Sequence, residues 1–411
     1  VATNSPFAKF IAEAAAGDIT RALVKEGEQG SETLEGWLRI LVVDTGEQLP
    51  QTHWEIETVE TLGSFGHLYS VIALDSDDNP HIAYQDYTTE KLKYAYKSGD
   101  SWVTETVDND SPTGEECAIA LDSDGNPHIS YYYEENYGDG VLRYAYKDNG
   151  GWHITTVDDG GVADDNVGDY SGIAIDSGNY PHIVYINQTD PQSLEYAYKD
   201  AGGWNYEVID TNDNGWNCAV VLDGSDYPHV SYQGFTNGTA DTRYAYKDGS
   251  GWHTETAGSD GDHNILTSTT VIRLDSSGYP HIAYTEYFAG AKPRQIYYAR
   301  KDAGGWHTEA VDNEEAHYQL FGFDLDADDL AHISYYDLVN DDMKYAERDA
   351  GGNWTKEIAD SGGNVGCCCS LALDSDGMAH IAYCGWTEND LKYAKQAPGA
   401  YFYIPIYTLS T

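Results

Sequence analysis

The sequence predicts an all-β chain, a seven-bladed β-propeller of four-stranded blades, on three observations. A signature close to L-D-x-x-x-x-P-H-I-x-Y occurs seven times, with its Asp at Asp75, Asp122, Asp176, Asp223, Asp275, Asp326 and Asp374. The spacings are 47, 54, 47, 52, 51 and 48 residues, a period that marks a propeller when each unit holds several short strands. Each unit carries four extended runs separated by turn residues. The outermost run is offset by one unit along the chain, as ring closure requires.

The second repeat shows the elements in order. Ala118–Asp122 is apolar and extended. Ser123-Asp124-Gly125-Asn126 is turn chemistry, because Gly and Asn tolerate positive φ. Pro127–Tyr131 is a second strand, with Pro at the first position, where no ladder donor is lost. Leu142–Lys147 is a third strand, Asp148–Gly151 a turn and Trp152–Asp158 a fourth strand. Alternating aromatic and β-branched residues between Gly, Asp and Asn favour strands over helices.

Fourth strands begin at Trp102, Trp152, Trp204, Trp252, Trp306 and Trp354. The last repeat ends after Leu391–Lys395 without one, and an equivalent, Trp54–Glu60, stands before the first repeat. The N-terminal strand is therefore expected to complete the last blade and leave no open edge. The expected organisation is an extension over 1–50, the propeller over 51–396 and a strand tail over 397–411.

The net charge is −47, from 22 basic and 69 acidic residues. Nucleic-acid binding is disfavoured, since phosphate contacts need a basic surface. No apolar run approaches the roughly 18–20 residues of a membrane span. The chain opens on Val1 without a signal-like segment, as a processed secreted protein would. Three glycosylation triplets begin at Asn187, Asn237 and Asn353 and fit an extracellular or cell-surface setting. There are six cysteines: Cys117, Cys218, Cys367, Cys368, Cys369 and Cys384. Cys117, Cys218 and Cys369 occupy equivalent inner-strand positions, five residues before their signature Asp. An even count in an external setting favours disulfides, with Cys368 or Cys369 bridged to Cys384 as one pairing among the open alternatives.

One propeller face carries short, regular turns, and the other carries the loops between second and third strands and the connections between blades. Ligands are expected on the irregular face. Its loops hold Asp158, Asp159, Asp164, Asp165, Asp169, Asp210, Asp213, Asp260, Asp262, Asp312, Glu314 and Glu315, mixed with Tyr137, Trp216, Tyr287, Phe288 and Tyr318. Carboxylates suit Ca²⁺ and aromatic rings suit sugar faces, although no loop has a full calcium-site spacing. The seven signature histidines, from His81 to His380, recur once per blade on second strands. Such regularity fits a structural hydrogen bond rather than a metal ring. The signature Asp residues read as turn anchors.

The turns Asp200-Ala201-Gly202-Gly203-Trp204 and Asp302-Ala303-Gly304-Gly305-Trp306 resemble a shortened Asp-box, the turn motif of sialidase-like propellers. Over residues 53–396 the repeat is similar to secreted bacterial and archaeal propellers with LDxxGxPHIxY units. A sialidase would imply three arginines clamping a carboxylate, with a Tyr–Glu nucleophile pair. Eight arginines are present, of which Arg273 alone interrupts an inner strand and Arg143 and Arg243 lie on third strands. No triad assembles, and no catalytic residue is assigned.

Outside the ring, Ser5-Pro6 is a helix start. Phe7, Phe10, Ile11, Ala14, Ala15, Ile19 and Leu23 form an apolar stripe at helical spacing. A strand follows, Trp37–Val43, containing Leu41. A second apolar strand runs from Tyr401, Phe402 and Tyr403 to Leu409. These strands either cover each other or dock on a neighbouring copy, a route to filaments. The resulting expectation is a secreted, non-enzymatic propeller with a structural or adhesive role, self-assembling through its extensions, with a carbohydrate-binding lectin, glycoside hydrolase or lyase as the alternative. Partners would be further copies of the chain or surface glycans.

Overall fold

In the computed structural model, the described residues are 21–24, 37–43, 52–63, 69–136, 139–161, 166–189, 191–211, 217–236, 239–258, 265–288, 295–312, 321–398 and 403–405. The chain divides into two compact units, Ile56–Lys395 and the paired ends Val1–Glu55 with Gln396–Thr411.

The larger unit is the ring of seven antiparallel blades. Blades 1 to 6 span 70–106, 113–158, 167–210, 218–258, 265–310 and 322–360. Blade 7 takes three strands from 365–398, and its outermost strand is Thr52–Thr61. The N-terminal strand thus closes the ring as expected.

Each blade is fixed by one hydrogen-bonded unit. In blade 1, Asp75 Oδ1 accepts from the backbone of Asp77 and Asn79, at 2.9 and 2.8 Å, and holds the turn. His81 Nε2 lies 3.4 Å from Asp75 Oδ2, and His81 Nδ1 lies 2.5 Å from the Tyr94 hydroxyl on the third strand. The arrangement repeats, for example at Asp122–His128–Tyr144 and Asp374–His380–Tyr393. Turn, second strand and third strand are thereby locked together, so both structural assignments stand.

Blades are joined by side chains that reach across. Trp152 Nε1 and Lys147 Nζ of blade 2 donate to Glu105 of blade 1, at 3.0 and 2.6 Å. Glu57, Glu207, Glu255 and Glu309 play the same part for their neighbours. A second series runs from second-strand tyrosines to an acid at or just past the end of the preceding blade's outer strand: Tyr131–Asp108, Tyr185–Asp158, Tyr232–Asp210, Tyr335–Asp312 and Tyr383–Asp360. Fully buried tyrosines thus hold both core volume and polar links.

In the smaller unit, Arg21–Val24, Trp37–Val43 and Tyr403–Pro405 form a three-stranded sheet with Trp37–Val43 in the middle. The helix expected over 7–23 lies outside the described residues except at its end, where Arg21–Val24 is strand. Leu23 pairs with Leu41. A neighbouring apolar strand offers these residues a full row of backbone partners, which outweighs a spacing that also suits a helix.

Candidate functional site

The inner strands surround a cavity of about 200 Å³ lined by residues of all seven blades, among them Glu116, Tyr170, Cys218, Thr270, Arg273 and Ser370. Its chemistry is concentrated at two levels. Near the ends of the inner strands Arg273 Nε donates to Asp324 Oδ1 at 2.8 Å, and Asp324 Oδ2 accepts from Leu373 N at 3.0 Å. The one inner-strand arginine singled out in the sequence is therefore neutralised inside the ring.

Near the starts of the inner strands, on the irregular face, Glu116 of blade 2 meets Asp169 of blade 3. Their carboxyl groups are hydrogen-bonded to each other. Glu116 Oε2 also accepts from Tyr170 N at 2.8 Å, and Glu116 Oε1 accepts from the Tyr69 hydroxyl at 3.3 Å. Gln188 Nε2 donates to Asp169. Burial, followed by the hydrogen bond to Asp169 and its charge, pushes Glu116 well above the ordinary carboxyl range. Burial also raises Asp169, opposed by hydrogen bonds from Glu116, Tyr170 and Gln188. Two neighbouring carboxyl groups disfavour each other's ionisation, which is the direction of both shifts.

The backbone is shaped for this meeting. Register shifts mark bulges around Glu115 in blade 2 and Asp169 in blade 3. Glu116 and Tyr170 sit at φ of 52° and 51°, in the left-handed region. Side chains that rarely adopt this conformation are held there by the surrounding sheet, as is common where a strand re-aims a functional group. Asp169 was among the acids expected on the irregular face, whereas Glu116 and Tyr170 were not singled out. The available signal was Glu116, an acid within the inner strand Thr113–Leu121 just before its apolar run.

Several expected rim acids have other duties. Asp158, Asp210 and Asp312 accept from second-strand tyrosines. Arg143 binds Asp108 and Asp110, and Arg243 binds Asp210. Asp164, Asp165, Asp213, Asp260, Asp262, Glu314, Glu315, Tyr137, Trp216 and Tyr318 lie outside the described residues, as does Asn237. Among the described residues no cluster of three or more His, Cys, Asp or Glu could hold a metal ion.

All six cysteines are buried free thiols, and the expected bridge to Cys384 is not formed. Cys384 faces Cys367, not Cys369. The reason is a bulge between Cys367 and Ser370, with Cys368 at a φ of 53°. Cys117, Cys218 and Cys369 line the cavity at equivalent positions. Of the residues expected to mediate assembly, Leu23 pairs with Leu41, Trp37 with Pro405 and Tyr403 with Arg39. Phe7, Phe10, Ile11, Ile19 and Tyr401 lie outside the described residues.

Fold and site define a seven-bladed β-propeller with a pair of neighbouring carboxyl groups, Glu116 and Asp169, at one end of its inner-strand cavity. No protein-family model matches the chain, and no curated protein matches its sequence. Solved structures match its fold. A protein of unknown function from Dyadobacter fermentans is 9% identical, with a TM-score of 0.52 over 85% of this chain and 100% of that one. AofleA from Arthrobotrys oligospora is 14% identical, with a TM-score of 0.50 over 75% and 90%. Aleuria aurantia lectin in complex with Fucalpha1-6GlcNAc is 13% identical, with a TM-score of 0.48 over 72% and 96%.

Proposed function

We propose that this chain is a non-catalytic, carbohydrate-binding β-propeller with an adhesive role at the cell surface or outside the cell. The observation that carries the reading is the Glu116–Asp169 pair beside Tyr69 and Tyr170. A protonated carboxyl donates, a carboxylate accepts and phenols do both, a set that complements hydroxyl groups. Arg273, a cation lining the same cavity, is bound to Asp324. Together with the net charge of −47 this disfavours anionic sugars.

A glycan array probed with the whole chain tests this, with and without EDTA to test the calcium expectation. Capture of neutral glycans without cleavage is the expected result. Cleavage, or capture of acidic glycans alone, would overturn it.

Self-assembly is a second reading, and the small sheet favours it. Arg21–Val24 and Tyr403–Pro405 are its edge strands, and each offers a row of backbone groups to an added strand. Negative-stain electron microscopy would reveal filaments that vanish when residues 1–50 are deleted. Isolated discs under all conditions would dismiss this reading.

A further inference from the structure

The loops joining second and third strands are short and alike in three consecutive blades, 6, 7 and 1. Their closing pairs are Asp337 with Asp342, Gly385 with Asp390 and Asp86 with Lys91. Each loop therefore has four residues, the last at positive φ: Asp341 at 61°, Asn389 at 58° and Glu90 at 52°. They carry the exposed side chains Tyr87 and Trp386 at the first loop position and Val339 at the second, with 41%, 39% and 66% of their surface open.

The three loops are each held at their base by hydrogen bonds. Asp86 accepts from Thr88 N and Thr89 Oγ1, at 3.0 and 2.8 Å, and Asp337 accepts from Val339 N at 2.8 Å. Blade 7 has Gly385 at that place, and Asn364 acts instead: its carbonyl accepts from Trp386 N at 2.8 Å and its N–H donates to Thr387 Oγ1 at 3.0 Å. Asn364 Nδ2 reaches back to Asp341 of blade 6 at 3.3 Å. On the other side Leu62 N donates to Asn389 O at 2.7 Å, and a Cβ on Gly63 would lie 3.2 Å from Thr88 of blade 1. The Trp386 side chain is itself hydrogen-bonded to Cys367. The loops are thus presented in a fixed arrangement, and a ligand would meet a preorganised surface.

We propose that Trp386 and Tyr87, with Val339 beside them, form a stacking platform for a neutral carbohydrate chain lying across blades 6, 7 and 1. The inference rests on the carbohydrate reading above and assigns it a second, independent contact. Aromatic faces take the apolar faces of sugar rings, and the neighbouring Thr88, Thr387, Asn340 and Asn389 can meet hydroxyl groups. Glu90, Asp341 and Glu388 on the same loops disfavour an anionic chain. Three partly exposed side chains supply on the order of 300 Å² or less, well short of the roughly 800 Å² per partner of a stable protein interface.

The test uses the whole chain against neutral manno-, cello- and chito-oligosaccharides, read by calorimetry and tryptophan fluorescence. Tyr87→Ala and Trp386→Ala should each weaken binding at least tenfold with unchanged melting. Trp386→Phe should retain most of the affinity, and ligand should alter the wild-type emission but not that of Trp386→Phe. Affinities within twofold of wild type in both Ala variants, while Glu116→Gln still weakens binding, would overturn the platform and leave the functional reading standing. Absence of binding by the wild type to every neutral glycan would overturn both. Tyr87 is exposed on a turn, so its variant remains informative if Trp386→Ala fails to fold.

Discussion

Ser375 in the last blade donates twice to Asp78 in the first, from Oγ at 2.6 Å and from N at 3.0 Å. The contact closes the ring on its short-turn face. The same clasp links Ser177 to Asp226, Ser276 to Asp329 and, in amide form, Ser123 to Asn179. The accepting residue lies in the left-handed region, with a φ of 61° at Asp78. At the other three junctions that position is Gly125, Gly278 or Gly377, which suits the backbone but has no side chain to accept. Asp78→Ala should therefore cost about 1–2 kcal/mol, the lost hydrogen bonds alone. Asp78→Gly should cost about 1 kcal/mol less, because losing the Cβ relieves the strain at that φ. Urea unfolding of the two variants checks the order.

Blade 3 lacks one of the cross-blade links. Thr155 stands where Glu57, Glu105, Glu207, Glu255 and Glu309 receive a tryptophan and a cation. Thr155→Glu would offer a partner to Lys199 and Trp204. The variant should be more stable by roughly 0.5–1 kcal/mol, a gain that shrinks in high salt. Equal midpoints in low salt would show that blade 3 does not share the geometry of its neighbours.

The signature imidazoles predict an acid limit. Burial depresses most of them, and His380 falls to about 4, with the Lys395 charge as the next cause. The unfolded value is about 6.5, so the unfolded chain takes up the proton first as pH falls. Stability should be flat above about pH 6.5 with respect to these groups and fall between about 6.5 and 4. His380 alone would contribute on the order of 3 kcal/mol to that loss. Melting temperatures across this window measure it, and His380→Gln should flatten the slope.

The carboxyl pair predicts the opposite slope. Glu116 holds its proton more tightly folded than unfolded. Its contribution is fully present below the unfolded value of about 4.3 and is lost as pH rises toward the folded one. Glu116→Gln supplies a permanent neutral donor to Asp169. The variant should gain stability relative to wild type as pH rises above the unfolded value of about 4.3, read by melting temperatures across that rise. A difference independent of pH would show that folding does not raise Glu116.

Six free thiols also give a direct count. Burial raises Cys117 and Cys369 to about 12, so native protein should react negligibly with a thiol reagent at pH 8. Denatured, unreduced protein should then release six thiols. Four or fewer would mean that a disulfide forms after all.

Much of the ring was legible because its causes are local. The Asp–His–Tyr unit joins residues within one repeat, as at Asp75, His81 and Tyr94, and repetition made its structural role evident. Ring closure was legible from the displaced Trp54 strand. The thiols were less so: the place of Cys384 depends on a bulge at Cys368, and a one-residue change of register moves each side chain to the other side of the sheet. The acidic loops were misread in part, because Asp158, Asp210 and Asp312 look like free rim acids until the tyrosine of the next blade is seen to reach them.

The sequence by itself determined the blade count, the strand order and the closing strand, since these follow from hydrophobic alternation, turn residues and period. Only the tertiary structure decided that Glu116 meets Asp169, that Arg273 meets Asp324 and that Leu62 and Gly63 adjoin the loops carrying Trp386 and Tyr87. Those groups belong to different blades. What brings them together is the curvature of the ring and the bulges at the strand starts, and neither is written in the spacing of any single repeat.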